Sequence, residues 1–127
     1  MNILDIKKPV WFMRQAGRHL PEYRKIRSEK KNFLEFCFDR KNIVEATLQP
    51  IQRYRIDCAI IFCDILIVPY ILGQKISFVK GEGPLLESLS LKKLINLKPL
   101  LKKEKDLQNT YNAIKDVRKK LNKNKSL

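Results

Sequence analysis

The five residues Cys58-Ala59-Ile60-Ile61-Phe62 restrict the possible folds more than any other stretch of the chain. They are apolar without interruption, and a run of that length suits a strand of a parallel sheet covered on both faces. A second apolar run, Val10-Trp11-Phe12-Met13, is rich in strand formers and reads as a short buried strand. Between the two, Asp39 offers an N-cap for a helix reaching about Arg55. Ile43, Val44, Leu48, Ile51 and Tyr54 recur at three and four residues and form its apolar stripe. Pro50 inside that helix removes one backbone hydrogen bond and predicts a kink. Strand, helix and strand in this order predict a right-handed parallel crossover.

The rest of the chain reads around this unit. Residues 1–9 form an exposed lead-in ending at Pro9. From Arg14 to about Arg27 the chain is rich in arginine, and Pro21 argues against a continuous helix. Lys31 to Phe38 predicts a short helix. Pro69 and Gly73 punctuate a loop or short helix, and Ile76–Val79 predicts a small strand before a turn at Gly81-Glu82-Gly83-Pro84. Residues 85–103 read as a surface connection with Pro99. Leu107, Tyr111, Ile114, Val117 and Leu121 place a last helix at about 104–121. No internal repeat is present. The whole of 1–127 reads as one domain, divided into the lead-in (1–9), two strands with intervening helices (10–90), and a basic connection and helix (91–127).

Charge narrows the possible partners. The net charge is +14, which taken alone suggests a nucleic-acid or membrane-surface partner. Its distribution argues against both. Residues 91–127 hold twelve Lys or Arg against three acids, and eleven of the twelve are Lys. Phosphate readers use more arginine and interleave aromatics. No nucleic acid and no membrane are therefore expected. No apolar run approaches the ~18 residues that span a bilayer. The start of the chain lacks a basic region followed by an apolar core, so no secretory signal is expected and a cytoplasmic location is the default. Cys37, Cys58 and Cys63 contain no CxxC pair, so neither a metal site nor a disulfide framework is expected, and buried, reduced thiols are.

Chemistry concentrates at the ends of the two predicted strands. Arg14 closes the first, and Arg18 follows four positions on across Gln15, Ala16 and Gly17. Gly17 is expected to let the backbone turn where a Cβ would forbid it. A guanidinium is a planar, always-charged fork matched to carboxylate or phosphate oxygens, so an anionic ligand is expected; the alternative is a pair of solvated loop arginines. Asp64 follows the second strand almost directly. Ligands of parallel α/β sheets bind outside the carboxyl ends of the strands, so Arg14 and Asp64 are expected to share a pocket. The alternative for Asp64 is a cap on the turn at Ile65-Leu66.

Pro9-Val10-Trp11-Phe12-Met13-Arg14-Gln15-Ala16-Gly17-Arg18-His19-Leu20-Pro21-Glu22-Tyr23-Arg24 resembles the amino-terminal signature of the uroporphyrinogen decarboxylases. The resemblance continues, in order, through Thr47-Leu48-Gln49-Pro50, Ala59-Ile60-Ile61-Phe62-Cys63-Asp64-Ile65-Leu66 and Phe78-Val79-Lys80-Gly81-Glu82-Gly83-Pro84. It implies an α/β fold, the amino-terminal part of a TIM (β/α)8 barrel. Two barrel strands plus helices are present, and the barrel is not closed by this chain. It further implies a carboxy-lyase of haem and porphyrin biosynthesis. Such an enzyme removes the four acetate carboxyl groups of uroporphyrinogen III to give coproporphyrinogen III and carbon dioxide, with no cofactor and no metal. Asp64 matches the family's central aspartate, which accepts hydrogen bonds from the pyrrole N–H groups. Arg14 and Arg18 match arginines that hold the substrate's carboxylates, Gln15, Ala16 and Gly17 match the backbone of that binding loop, and Arg27 matches a further arginine. The catalytic pair is then Asp64 and Arg14. Cys63 stands where the family commonly has Ser and His19 where it commonly has Tyr, while the family's downstream tyrosine, serine and histidine fall beyond Leu127. The implied partners are uroporphyrinogen and either a second copy, as a homodimer, or a missing carboxyl-terminal portion. The alternative function is a non-catalytic fragment that binds an anionic tetrapyrrole or nucleic acid.

Overall fold

A computed structural model describes residues 8–79, 83–96 and 101–127, with side chains described for all of these except 101–104. Most of the expected lead-in, Gly81 and Glu82 of the expected turn, and Pro99 lie outside the described residues. In chain order the elements are α1 (Pro21–Ser28), α2 (Phe33–Phe38), α3 (Arg40–Arg53), α4 (Ile67–Ile71), β1 (Ile76–Val79), β2 (Gly83–Leu86), α5 (Leu91–Ile95) and α6 (Leu101–Lys120). They form two compact units, one of Met1–Cys63 with Asn109–Leu127 and one of Asp64–Gln108.

The first unit is built on α3. Asp39 caps it, its side chain accepting from the Asn42 N–H at 3.0 Å, as the sequence predicts. Burial alone would raise the Asp39 carboxyl; the Lys30 ammonium 2.8 Å away and the Asn42 N–H outweigh it and hold the group below the usual carboxylate range. Ile43 and Val44 of α3 pack with Ala113 and Val117 of α6, with Leu48 and Ile61 against them. Arg40 pairs with Asp116 at 2.6 Å on the rim of the same contact. Pro50 is buried and lies within the helix, which runs on to Arg53.

The loop expected from Arg14 to Arg27 is in fact helical from Pro21. Proline at the first position of a helix has no N–H to lose there, and its fixed φ suits the first turn. Tyr23 and Ile26 of α1 face inward, and Arg53 of α3 grips Glu22 with two bonds of 2.8 and 2.9 Å. That fork holds the Glu22 carboxyl down at about 2. Tyr23, Phe36 and Phe62 meet edge to face, with centroids 5.4–5.7 Å apart, and join α1 and α2 to the apolar run 58–62.

The two predicted strands are extended segments rather than strands. The Asp57 N–H donates to the Val10 carbonyl at 2.7 Å and the Val10 N–H to the Asp57 carboxylate at 2.8 Å. On the other side Cys58 makes one isolated parallel bridge to Ser126, through Ser126 N–H to Asp57 O and Ala59 N–H to Ser126 O, both 2.9 Å. A strand requires a repeating ladder, and one bridge does not supply it. Nor is the first segment buried: Trp11, Phe12 and Met13 are 47%, 61% and 82% exposed. The thiols also divide. Cys37 is buried as expected, Cys58 is half-buried and Cys63 is exposed; none of the three is in a disulfide.

The second unit holds the only sheet among the described residues, an antiparallel pair of β1 and β2 with Ile76 opposite Leu86 and Val79 opposite Gly83. The expected strand 76–79 is therefore present, but Gly83 and Pro84 belong to β2 rather than to a turn. Gly83 opens β2 at φ +86°, a conformation that disfavours any side chain. The expected surface connection 85–103 contains the end of β2 and all of α5, capped by Ser90. Its exposure is as expected: Leu91, Leu94 and Ile95 all face solvent.

Candidate functional site

The loop that follows Met13 brings Arg14 to the rim of a pocket of about 220 Å3 within the first unit. Phe12, Pro50 and Ile56 form apolar walls; Arg14, Gln15, His19 and Tyr54 supply polar groups. Arg14 is exposed, and among the described residues no carboxylate pairs with it or with Arg18. A free guanidinium beside an imidazole and a phenol suits a carboxylate carried on an apolar body.

Arg18 is exposed too, and its carbonyl accepts from the Arg24 guanidinium at 2.7 Å. Ala16 and Gly17 are half-buried between the two arginines. The expected steric need for glycine at position 17 is not met. Its φ is not positive, and an added Cβ would meet only the His19 ring, at 3.4 Å, an ordinary contact. The loop turns instead through a Leu20 N–H bond to the Gly17 carbonyl at 3.0 Å. Arg27 is held elsewhere. Its guanidinium lies 5.5 Å and 5.8 Å from the Phe33 and Phe36 ring centroids and donates to the Lys30 carbonyl, and it does not line the pocket.

Asp64 opens the second unit and is half-buried. Its Oδ1 accepts the Leu66 N–H at 2.9 Å and its carbonyl the Ile67 N–H at 3.2 Å, the turn-capping arrangement that was the sequence alternative.

Sequence reasoning missed two polar anchors. The buried Thr47 hydroxyl donates to the Ile43 carbonyl at 2.7 Å and accepts the Phe62 N–H at 2.9 Å, fastening the second extended segment to α3. Asp57 holds Val10 on one side and Ser126 on the other, with Lys125 reaching back to the Ile56 carbonyl. A polar residue directly before an apolar run was the available signal for Asp57. No periodicity singles out Thr47.

Similarity to known proteins bears on the same residues. The family model for uroporphyrinogen decarboxylase (URO-D) matches residues 6–127. The uroporphyrinogen decarboxylase of Rickettsia rickettsii (strain Sheila Smith) is 48% identical over 118 residues, covering 91% of this chain and 33% of the relative. That of Rickettsia bellii (strain RML369-C) is 49% identical over 125 residues, covering 98% of this chain and 36% of the relative. The chain thus spans about a third of the length of the curated relatives it matches. With its arginine loop, its second apolar run and Asp64 all inside the matched range, the chain belongs to the uroporphyrinogen decarboxylase family.

Proposed function

We propose that this chain supplies the carboxylate-binding loop and the central aspartate of a uroporphyrinogen decarboxylase, on the amino-terminal part of a (β/α)8 barrel. The observation that carries the reading is the Arg14 guanidinium, paired with no carboxylate among the described residues, at the rim of an apolar-walled pocket directly after the first apolar run. The parallel bridge between Cys58 and Ser126 suits neighbouring strands of such a barrel, and the bond from the Asp57 N–H to the Val10 carbonyl puts the first segment beside them. The exposed apolar side chains of Trp11, Phe12 and Met13 would then be covered by the remaining two thirds of the family's length.

In this reading Arg14 and Arg18 hold acetate and propionate carboxylates, within the loop formed by Gln15, Ala16 and Gly17. Arg27 acts indirectly, by bracing α2. Asp64 accepts the pyrrole N–H groups. Protonation of a pyrrole carbon places positive charge in the ring, and loss of carbon dioxide returns an electron pair to it. A fixed carboxylate beneath the ring stabilises that cation, more strongly where water is excluded. Arg14 orients the substrate and balances its charge, since a guanidinium pKa above ~12 suits it poorly to proton donation. A homodimer and a cytoplasmic location belong to the same proposal.

The test is to mix this chain with a carboxyl-terminal piece of the Rickettsia rickettsii relative and to assay coproporphyrinogen formation. Activity that disappears with Asp64→Ala supports the reading; turnover that survives it removes the role given to Asp64. The alternative reading, a non-catalytic binder of an anionic ligand, rests on the net charge of +14 taken alone and predicts steeply salt-dependent binding and no product.

A further inference from the structure

We infer that Gln15 is a positioning residue, whose buried side-chain amide takes the place of a strand neighbour for residues 58–60 and so sets where the Arg14 guanidinium stands. The Gln15 side chain is turned inward, with the residue only 6% exposed. Its Nε2 donates to the Phe12 carbonyl at 3.0 Å and to the Cys58 carbonyl at 2.8 Å, and its Oε1 accepts the Ile60 N–H at 3.1 Å. Bonding to the carbonyl of one residue and the N–H of the residue two further on is what a backbone peptide does to its neighbour in a parallel ladder. The opposite edge of the same segment is served by Ser126, which takes the Asp57 carbonyl and the Ala59 N–H. Backbone groups alternate between the two edges of an extended chain, so Ser126 and Gln15 divide them without competition.

The consequence for Arg14 is geometric. The amide holds the Phe12 carbonyl on one side of Met13-Arg14 and belongs to Gln15 on the other, so the backbone carrying the guanidinium is pinned at both ends. Both side-chain amide protons are used internally, which leaves the side chain no donor for a ligand. The backbone contact that the family resemblance implies for this residue is untouched, and the side chain adds support of the residue beside it. The link to substrate rests on the function proposed above; the clamp does not.

The test uses the full 127-residue chain with Gln15→Met, which keeps the bulk and removes the bonds, and Gln15→Glu. In the wild type the Ile60 amide is protected from exchange and the Arg14 amide is rigid, with an order parameter of about 0.85. Gln15→Met raises Ile60 exchange at least about tenfold and lowers the Arg14 order parameter towards about 0.6. Gln15→Glu, once ionised, can still accept the Ile60 N–H but faces the Phe12 and Cys58 carbonyls with no proton to offer. Repulsion by those carbonyls displaces the side chain, so Ile60 protection falls with rising pH more steeply than in the wild type, whereas a space-filling role predicts no change in Gln15→Met. Ile60 exchange that is unprotected in the wild type, or unchanged in Gln15→Met, overturns the clamp. An Arg14 order parameter unchanged in Gln15→Met overturns the positioning role. Uroporphyrin binding followed by fluorescence separates the two proposals. Failure of the wild type to bind counts against the proposed function and leaves the clamp to be judged on exchange and order parameters. Binding by the wild type that weakens about tenfold in Gln15→Met supports both.

Discussion

The two units of this chain are stabilised by different means. In the first, side chains reach across long stretches of sequence to satisfy backbone groups: Gln15 to Cys58 and Ile60, Thr47 to Phe62, Asn109 to Phe38, Lys125 to Ile56. These bonds surround Phe36, Ile43, Ala113 and Val117, all fully buried. The second unit is tied locally, by β1 on β2 and by the Gln74 and Lys75 bonds to Glu87, and none of α5 is buried. Burial in the second unit is confined to Leu66, Ile67 and Ile71 at α4 among the described residues, and the hairpin itself buries none of its residues.

That contrast can be broken most readily at Phe36. Phe36→Ala removes the shared member of the aromatic group and should cost about 3–5 kcal/mol, most or all of the first unit's stability, measured by urea unfolding. Thr47→Val keeps the shape but strands the Phe62 N–H, with an expected loss of about 1–3 kcal/mol and faster exchange at that amide. If either change were silent, the first unit would not depend on its anchors in the way described.

The second unit responds to backbone rather than to packing. Gly83→Ala meets no atom within 4 Å but must hold φ +86°, so β2 should fray by about 1–2 kcal/mol, while exchange at Phe62 and Ala59 stays as it was. The smallest effect is electrostatic. Glu22 is held at about 2 by Arg53, below its ordinary 4.5, so its contribution is complete above about 4.5 and is lost as pH falls towards 2. Melting temperatures of the wild type should decline across that window, and Glu22→Gln should flatten that part of the decline. Solvent around the pair keeps the difference small.

Much of the helical framework was legible. Asp39 as a cap and the spacing of Ile43, Val44 and Leu48 located α3, because capping and periodicity are local. Pro21 rightly excluded a continuous helix from Arg14 to Arg27, but not the helix that begins at it: proline opposes a helix interior and favours its first turn, and only the position of the helix start distinguishes the two. The runs 10–13 and 58–62 were expected as buried strands and are not, because whether an apolar run becomes a strand depends on neighbours that its own residues do not specify. The arginine loop and Asp64 were singled out by residue type and motif; the inward turn of Gln15 and the stacking of Arg27 on Phe33 and Phe36 were not.

From sequence alone came the family, the order of its motifs and the identity of the charged groups in them, since these reside in side-chain chemistry and spacing along the chain. The tertiary structure decided which of those groups remain available. Among the described residues no carboxylate pairs with Arg14, whereas the side chains of Gln15 and Arg27 donate to carbonyls of other residues. Availability is a property of what lies within about 3 Å, and that distance is set by packing rather than by position in the sequence.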